Sequence, residues 1–128
     1  VLIMDNPFIG LDAPSRGVLV EMLQQKGLDP TLINARFVKP MDEQMLKQVA
    51  AQHSIVVTME DGVITGGFGQ AVAAWYAATE RGEKCPKIVN IALPDAFIEH
   101  GTVQQLRSKY GQDAESVAAR IEQVWRQQ

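Results

Sequence analysis

Short apolar runs alternate along this chain with longer segments in which apolar residues recur at helical spacing. The short apolar runs predict four strands: Val1–Met4, Thr31–Phe37, Ser54–Met59 and Lys87–Leu93. The third is the clearest, since it is β-branched and continuously apolar at its centre, as expected of a strand covered on both faces. Helical spacing predicts five helices that begin near Asp12, Asp42, Phe68, Thr102 and Asp113, and glycines end three of them at Gly27, Gly82 and Gly111. This alternation is typical of a parallel α/β sheet covered by helices, so we expect three layers with four or five strands.

Composition narrows the class of protein. The 128 residues fit one domain, 1–128, with 46% hydrophobic residues and a net charge of −3. The twelve Lys and Arg residues are scattered, and no apolar segment approaches the roughly 20 residues that span a bilayer, so we expect neither a nucleic-acid nor a membrane partner. The single Cys85 permits no internal disulfide, and no signal peptide precedes Val1, which favours the cytoplasm.

The glycines of "MEDGVITGGFGQAV" raise the question of an anion site. Gly66, Gly67 and Gly69 follow a strand and open a helix, where backbone amides can bind a phosphate. The segment lacks the spacing of the dinucleotide and triphosphate motifs. Glu60 and Asp61, expected in the loop after the strand, would make the mouth of the sheet negative, which opposes phosphate binding. A tight turn with close backbone packing is therefore the favoured interpretation, and an anion site is the alternative.

Two cations and a histidine are the other candidate functional residues. Arg36 and Lys39 follow the second strand and could bind an anion, although ion pairs with nearby acids are their more ordinary use. His100 stands beside Glu99, which could orient it for proton transfer near neutral pH, but turn chemistry alone also explains this segment. His53 is interpreted as a helix C-cap, and the histidine and cysteine spacing predicts no metal site.

Three stretches carry a resemblance to a known family: "INARFVKPMDE", "VVTMEDGVITGGFGQAV" and "IALPDAFIEHGT". In this order they resemble the C-terminal domain of the 1-deoxy-D-xylulose-5-phosphate synthase family, within the transketolase superfamily. The closing "YGQDAESVAARI" is similar as well, so the resemblance runs from Leu28 to the end. The first thirty residues differ, because "DNPFIGLDAPS" stands where the family has a compact Gly-Ser or Gly-Thr turn. The glycine loop is shared with transketolases and with β-subunits of 2-oxoacid dehydrogenases, whose C-terminal domains are alternatives.

The resemblance implies a fold and a parent activity. The fold is a three-layer α/β/α domain with a five-stranded, mostly parallel mixed sheet that includes one antiparallel strand. The parent enzyme condenses pyruvate with glyceraldehyde 3-phosphate on thiamine diphosphate and Mg²⁺, releases CO₂, and supplies isoprenoid, thiamine and pyridoxal synthesis. Its cofactor-binding and catalytic residues belong to two upstream domains. The resemblance therefore transfers to this chain no catalytic residue, no cofactor-binding residue and no metal ligand.

The implied role is that of a scaffold. We expect a fragment of a three-domain homodimer, inactive alone, that packs against the upstream catalytic domains and strengthens the dimer. The glycine-turn amides would then be open to a carbonyl or carboxylate of a neighbouring domain, and a helix face with Trp75 or Trp125 would be covered. Two alternatives remain: a stand-alone anion- or nucleotide-binding module that uses the Gly66–Gly69 loop, and an interaction protein that docks onto a separate subunit carrying the upstream domains.

Overall fold

Strands and helices alternate in the order that the apolar pattern predicts. The computed structural model describes residues 2–5, 13–35, 39–78 and 85–128. Its elements are β1 (Leu2–Asp5), α1 (Ala13–Gln25), β2 (Thr31–Asn34), α2 (Glu43–Gln52), β3 (Ile55–Val63), α3 (Phe68–Ala78), β4 (Lys87–Leu93), α4 (Val103–Lys109) and α5 (Ala114–Arg126). No helix in these ranges is long and apolar enough to cross a membrane.

The sheet is parallel, with strand order β2-β1-β3-β4. The described part of the chain holds four strands, so the five-stranded mixed sheet implied by the family resemblance is not confirmed. Because β1 lies between β2 and β3, the winding direction reverses beside it. In sheets of this kind, ligands bind at the carboxyl ends of the strands next to such a reversal. The turn that follows β3 therefore stands where a ligand is expected.

Two hydrophobic clusters lie on opposite faces of the sheet and confirm the three layers. Successive residues of a strand point to opposite faces, so Ile55, Val57 and Met59 enter one cluster, whereas Val56 enters the other. The first cluster packs β3 and β4 against α1 and α5. Its helical members are Leu19, Leu23, Ala114, Val117, Ala118, Ile121 and Val124. The second is built on α2 and α3 by Leu46, Val49, Phe68, Val72 and Tyr76.

The helix ends agree with the local sequence signals wherever the structure describes them. Gly27 follows α1 with φ 78°, and the N–H of Leu28 donates to the carbonyl of Leu23 at 3.0 Å, which closes the helix end. Gly111 ends α4 in the same way, with φ 71°. The side chains of Asp42, Thr102 and Asp113 accept hydrogen bonds at the predicted N-termini. The predicted cap Asp12 and the predicted stop Gly82 lie outside the described residues.

Two strands end at different places from those predicted. Strand β2 ends at Asn34 rather than Phe37, and Phe37 itself lies outside the described residues. Strand β3 continues to Val63 rather than ending at Met59, because pairing with β4 resumes at Val63 opposite Leu93 after an irregularity. Glu60 is therefore a strand residue with a buried side chain, not part of a loop at the mouth of the sheet.

Candidate functional site

The turn of residues 64–67 joins β3 to α3 and contains the first two of the candidate glycines. The N–H of Ile64 donates to the carbonyl of Leu93 at 2.8 Å, which holds the turn against the end of β4. Gly66 has φ 72°, a conformation that L side chains rarely adopt, and its N–H donates to Oε1 of Gln70 at 2.8 Å. The backbone geometry itself therefore requires glycine at position 66.

The N-terminus of α3 is capped by a carboxylate of the chain itself, that of Glu60. Glu60 is 8% exposed; its Oε2 accepts the N–H of Phe68 at 2.8 Å, and its Oε1 accepts the N–H of Gly69 at 3.0 Å. Amides in the first turn of a helix have no partner within the helix, and a negative charge there also interacts favourably with the helix dipole. Glu60 thus accepts the hydrogen bonds of two N–H groups, those of Phe68 and Gly69, that an external anion would need in order to bind here. The expectation that these amides are open to a neighbouring domain does not hold for Phe68 and Gly69.

Close packing accounts for the two other glycines. A Cβ atom on Gly67 would lie 2.6 Å from Oε1 of Glu60 and 2.7 Å from the carbonyl oxygen of Val63. A Cβ atom on Gly69 would lie 2.5 Å from Oγ1 of Thr58 and 2.6 Å from Oδ1 of Asn90. Both positions therefore lack room for any side chain, and both are needed to bring the helix onto the buried carboxylate.

Polar residues that the sequence analysis missed surround Glu60. Thr58 and Asn90 are neighbours in the β3–β4 register, and Oγ1 of Thr58 donates to Oδ1 of Asn90 at 2.7 Å. Nε2 of the buried Gln112 donates to the backbone carbonyl of Glu60 at 3.2 Å. The sequence did indicate Thr58 and Asn90, since each is a polar residue at the centre of an otherwise apolar strand. Gln112 had no such signal, because its partner lies 52 residues away.

The predicted cation pair is not brought to this turn by anything that the structure describes. Arg36 lies outside the described residues. Lys39 is exposed and follows β2, whereas the turn follows β3. An anion-binding or ion-pairing role for either residue stays a prediction.

His100 is exposed, and its neighbouring acid has other partners. The carboxylate of Glu99 accepts a hydrogen bond from Oη of Tyr110 at 2.6 Å and another from the ammonium group of Lys109. These contacts, the Lys109 bond first, lower the pKa of Glu99 to about 2. Glu99 therefore joins this segment to the end of α4, which agrees with the turn interpretation. Its carboxylate is engaged by Lys109 and Tyr110, and a proton-transfer role for His100 stays a prediction.

His53 occupies the C-cap of α2, as predicted. Its N–H donates to the carbonyl of Val49 at 2.9 Å, and its φ of −123° is already extended backbone. Partial burial lowers the pKa of His53 from its ordinary value.

The described residues do not fit thiamine diphosphate or its metal ion. They contain no group of three or more His, Cys, Asp or Glu residues that could hold a metal. Within the described ranges, the glycine turn is the place where backbone amides at a helix start could bind a diphosphate, and there the Glu60 carboxylate already accepts hydrogen bonds from the amides of Phe68 and Gly69. A diphosphate would have to displace a buried negative charge, which opposes its binding.

Comparison with known families identifies the class of this domain. The model of the family described as "Transketolase, C-terminal domain" matches residues 18–117. The match covers most of the chain, so the chain belongs to this family.

Three curated relatives show which members of the family this chain is similar to. A protein of Dehalococcoides mccartyi is 39% identical over 80% of the chain, one of Lachnoclostridium phytofermentans is 44% identical over 79%, and one of Lysinibacillus sphaericus is 36% identical over 92%. All three are named 1-deoxy-D-xylulose-5-phosphate synthase. The aligned part of the chain spans 16%, 16% and 18% of their respective lengths.

A solved structure supports the fold. A chain described as "Split gene transketolase, inactive beta4 tetramer" superimposes with a TM-score of 0.79 at 28% sequence identity. The superposition covers 95% of this chain and 38% of the other. Both comparisons thus relate this chain to a part of larger proteins.

Proposed function

We propose that this chain is the C-terminal, non-catalytic scaffold and dimerisation domain of a thiamine-diphosphate-dependent 1-deoxy-D-xylulose-5-phosphate synthase. The observation that carries the proposal is the identity of 36–44% to three proteins of that name over at least 79% of the chain. The glycine turn supports the non-catalytic part, because the helix amides there that could bind a phosphate already donate to Glu60.

The parent reaction would proceed outside this chain. In it, pyruvate and glyceraldehyde 3-phosphate condense to 1-deoxy-D-xylulose 5-phosphate with loss of CO₂, and thiamine diphosphate and Mg²⁺ are held by the upstream domains. The 128 residues would form one domain of a three-domain, cytoplasmic homodimer. In this proposal the isolated chain is inactive and serves to hold the catalytic domains together.

A fifth, antiparallel strand remains part of the proposal. Among the described strands, β2 pairs with β1 on one side only, so its outer edge offers backbone groups for another strand. Such a strand would complete the mixed sheet of the family.

A second candidate is a subunit that docks onto a separate chain carrying the catalytic domains. The structural neighbour favours it, since its description names a split gene and an inactive tetramer of β chains. In both candidates the chain contributes assembly rather than chemistry.

The test compares the full-length parent polypeptide with this chain under identical conditions. Each is incubated with pyruvate, glyceraldehyde 3-phosphate, thiamine diphosphate and Mg²⁺, and 1-deoxy-D-xylulose 5-phosphate is quantified by mass spectrometry. We expect product from the parent and none from the chain alone. Product from the chain alone would overturn the scaffold role, and a parent that forms no such product would overturn the assignment to a synthase.

A further inference from the structure

The segment that joins β4 to α4, residues 94–102, exposes an aromatic side chain. We call this segment the 94–102 loop. Phe97 is 104% exposed, as open to water as in an extended peptide, and Val103 at the start of α4 is 68% exposed. Every residue of the loop except Ile98 is exposed, and α4 has no buried residue. The loop and α4 therefore contribute almost nothing to the core of their own domain.

Hydrogen bonds nevertheless hold the loop in place on both sides of Phe97. Before it, the N–H of Ala96 donates to the carbonyl of Pro94 at 2.9 Å. After it, Tyr110 and Lys109 hold the carboxylate of Glu99. Phe97 thus lies between a local turn and a residue, Glu99, that is joined to the end of α4.

The end of the loop is fixed by a reciprocal cap. Oγ1 of Thr102 accepts the N–H of Gln105 at 3.1 Å, and Oε1 of Gln105 accepts the N–H of Thr102 at 3.1 Å. A group that is fixed before binding loses little conformational entropy when it binds. Rigid aromatic side chains surrounded by polar residues are also the residues that most often dominate the energy of an interface.

We infer that Phe97 is the anchor by which this domain docks into an apolar pocket on the part of the parent polypeptide that lies outside this chain. The inference rests on the proposed function, since it requires that parent. The relatives indicate what covers the loop. The matched segment is 16% of their length, so most of each relative lies outside the segment and is available to contact Phe97. Asp95 and His100 stand two residues before and three residues after Phe97 and are both exposed, so in this proposal they contribute to the polar rim of the contact.

The test places a photo-crosslinking analogue of phenylalanine, p-benzoylphenylalanine, at position 97 of the full-length parent. The position is fully exposed in this domain, so the larger ring does not disturb the core. A second protein carries the analogue at position 48, where the exposed Gln48 lies on α2, as the control. Crosslinked peptides are identified by mass spectrometry, and synthase activity is measured in the same samples.

We expect position 97 to crosslink to peptides outside this domain, with a yield several-fold above that from position 48. The Phe97→Ala variant of the parent should lose the association that the crosslink reports, measured as faster release of this domain by limited proteolysis. Crosslinks from position 97 to residues 1–128 of a second copy, or no crosslink at all, would overturn the inference. A specific crosslink in a parent without synthase activity would support the docking surface and refute the proposed function, so the two failures are distinguishable.

Discussion

The turn after β3 and the loop after β4 leave the sheet at the same edge, yet they differ in which kind of side chain they bury and which they expose. The turn brings a charged side chain, Glu60, into the interior and satisfies it with two helix amides. The loop places an apolar side chain, Phe97, in water, and hydrogen bonds form within the loop before it. A buried charge that is fully paired indicates an internal structural role, whereas a displayed aromatic ring indicates a surface made for contact. The glycines therefore belong to the internal structure of the domain, and the loop carries the proposed docking surface.

The largest effect is expected from Gly67→Ala in the turn. The new Cβ would meet a backbone carbonyl at 2.7 Å and both carboxylate oxygens of Glu60, so either the turn or the buried hydrogen bonds must shift. We expect the free energy of unfolding to fall by about 3 kcal/mol or more in urea denaturation.

The matched control for this substitution is Gly17→Ala in α1. A Cβ at Gly17 meets nothing within 4 Å, so this variant should be neutral or stabilised by up to about 1 kcal/mol. Equal effects at the two positions would mean that the turn is not as tightly packed as described.

A smaller effect is expected from Glu60→Gln, which keeps the size of the side chain and removes its charge. An amide has a single acceptor oxygen, so one of the buried N–H groups of Phe68 and Gly69 loses its partner. We expect a loss of about 2 kcal/mol in the free energy of unfolding. Asp61→Asn, on the exposed neighbour, is the control and should leave stability unchanged.

In the loop, the expected effect is on ionisation rather than on folding. The Lys109 and Tyr110 bonds lower the pKa of Glu99 from 4.5 to about 2. A lowered pKa stabilises the folded state above pH 4.5, and this contribution is lost as the pH falls towards 2. NMR titration of the Glu99 carboxyl carbon should give a midpoint near the lower value, and Tyr110→Phe should raise it. A midpoint near 4.5 in the unsubstituted chain would show that the loop is not fixed as described.

The smallest effect on folding is expected from Phe97→Ala. The ring makes no buried contact in this domain, so the free energy of unfolding of the chain should stay within about 0.5 kcal/mol of the original. Val57→Ala, at a position with 0% exposure, is the contrasting core variant and should cost about 2 kcal/mol. A large loss from Phe97→Ala would mean that the ring packs against its own domain.

The sequence predicted those features that depend on local signals. The α/β alternation, the end of α1 at Gly27 and the caps of α2, α4 and α5 follow from patterns within a few residues, and the structure confirms them. The burial of Glu60 was missed because it depends on the extension of β3 along β4, a pairing of distant residues. The prediction that this acid lies at the mouth of the sheet was wrong for that reason.

The prediction of a covered aromatic surface named residues other than Phe97. Trp75 is half-buried and packs edge-to-face on Tyr76, with ring centroids 5.1 Å apart, so it contributes to the second cluster. Trp125 is 44% exposed, whereas Phe97 is fully exposed. Helical spacing places a side chain on a helix face, but it says nothing about a ring in a loop, which only the three-dimensional arrangement reveals.

The claim that Glu60 already occupies the amides of the glycine turn can be tested directly by NMR. The ¹⁵N-labelled chain is titrated with inorganic phosphate, and separately with thiamine diphosphate and Mg²⁺, while the amide signals of Phe68 and Gly69 are followed against a sodium chloride control of equal ionic strength. The closed turn predicts no saturable shift of either signal beyond that of the control. Saturable shifts of both would show that the anion displaces Glu60, and the turn would then be a phosphate site.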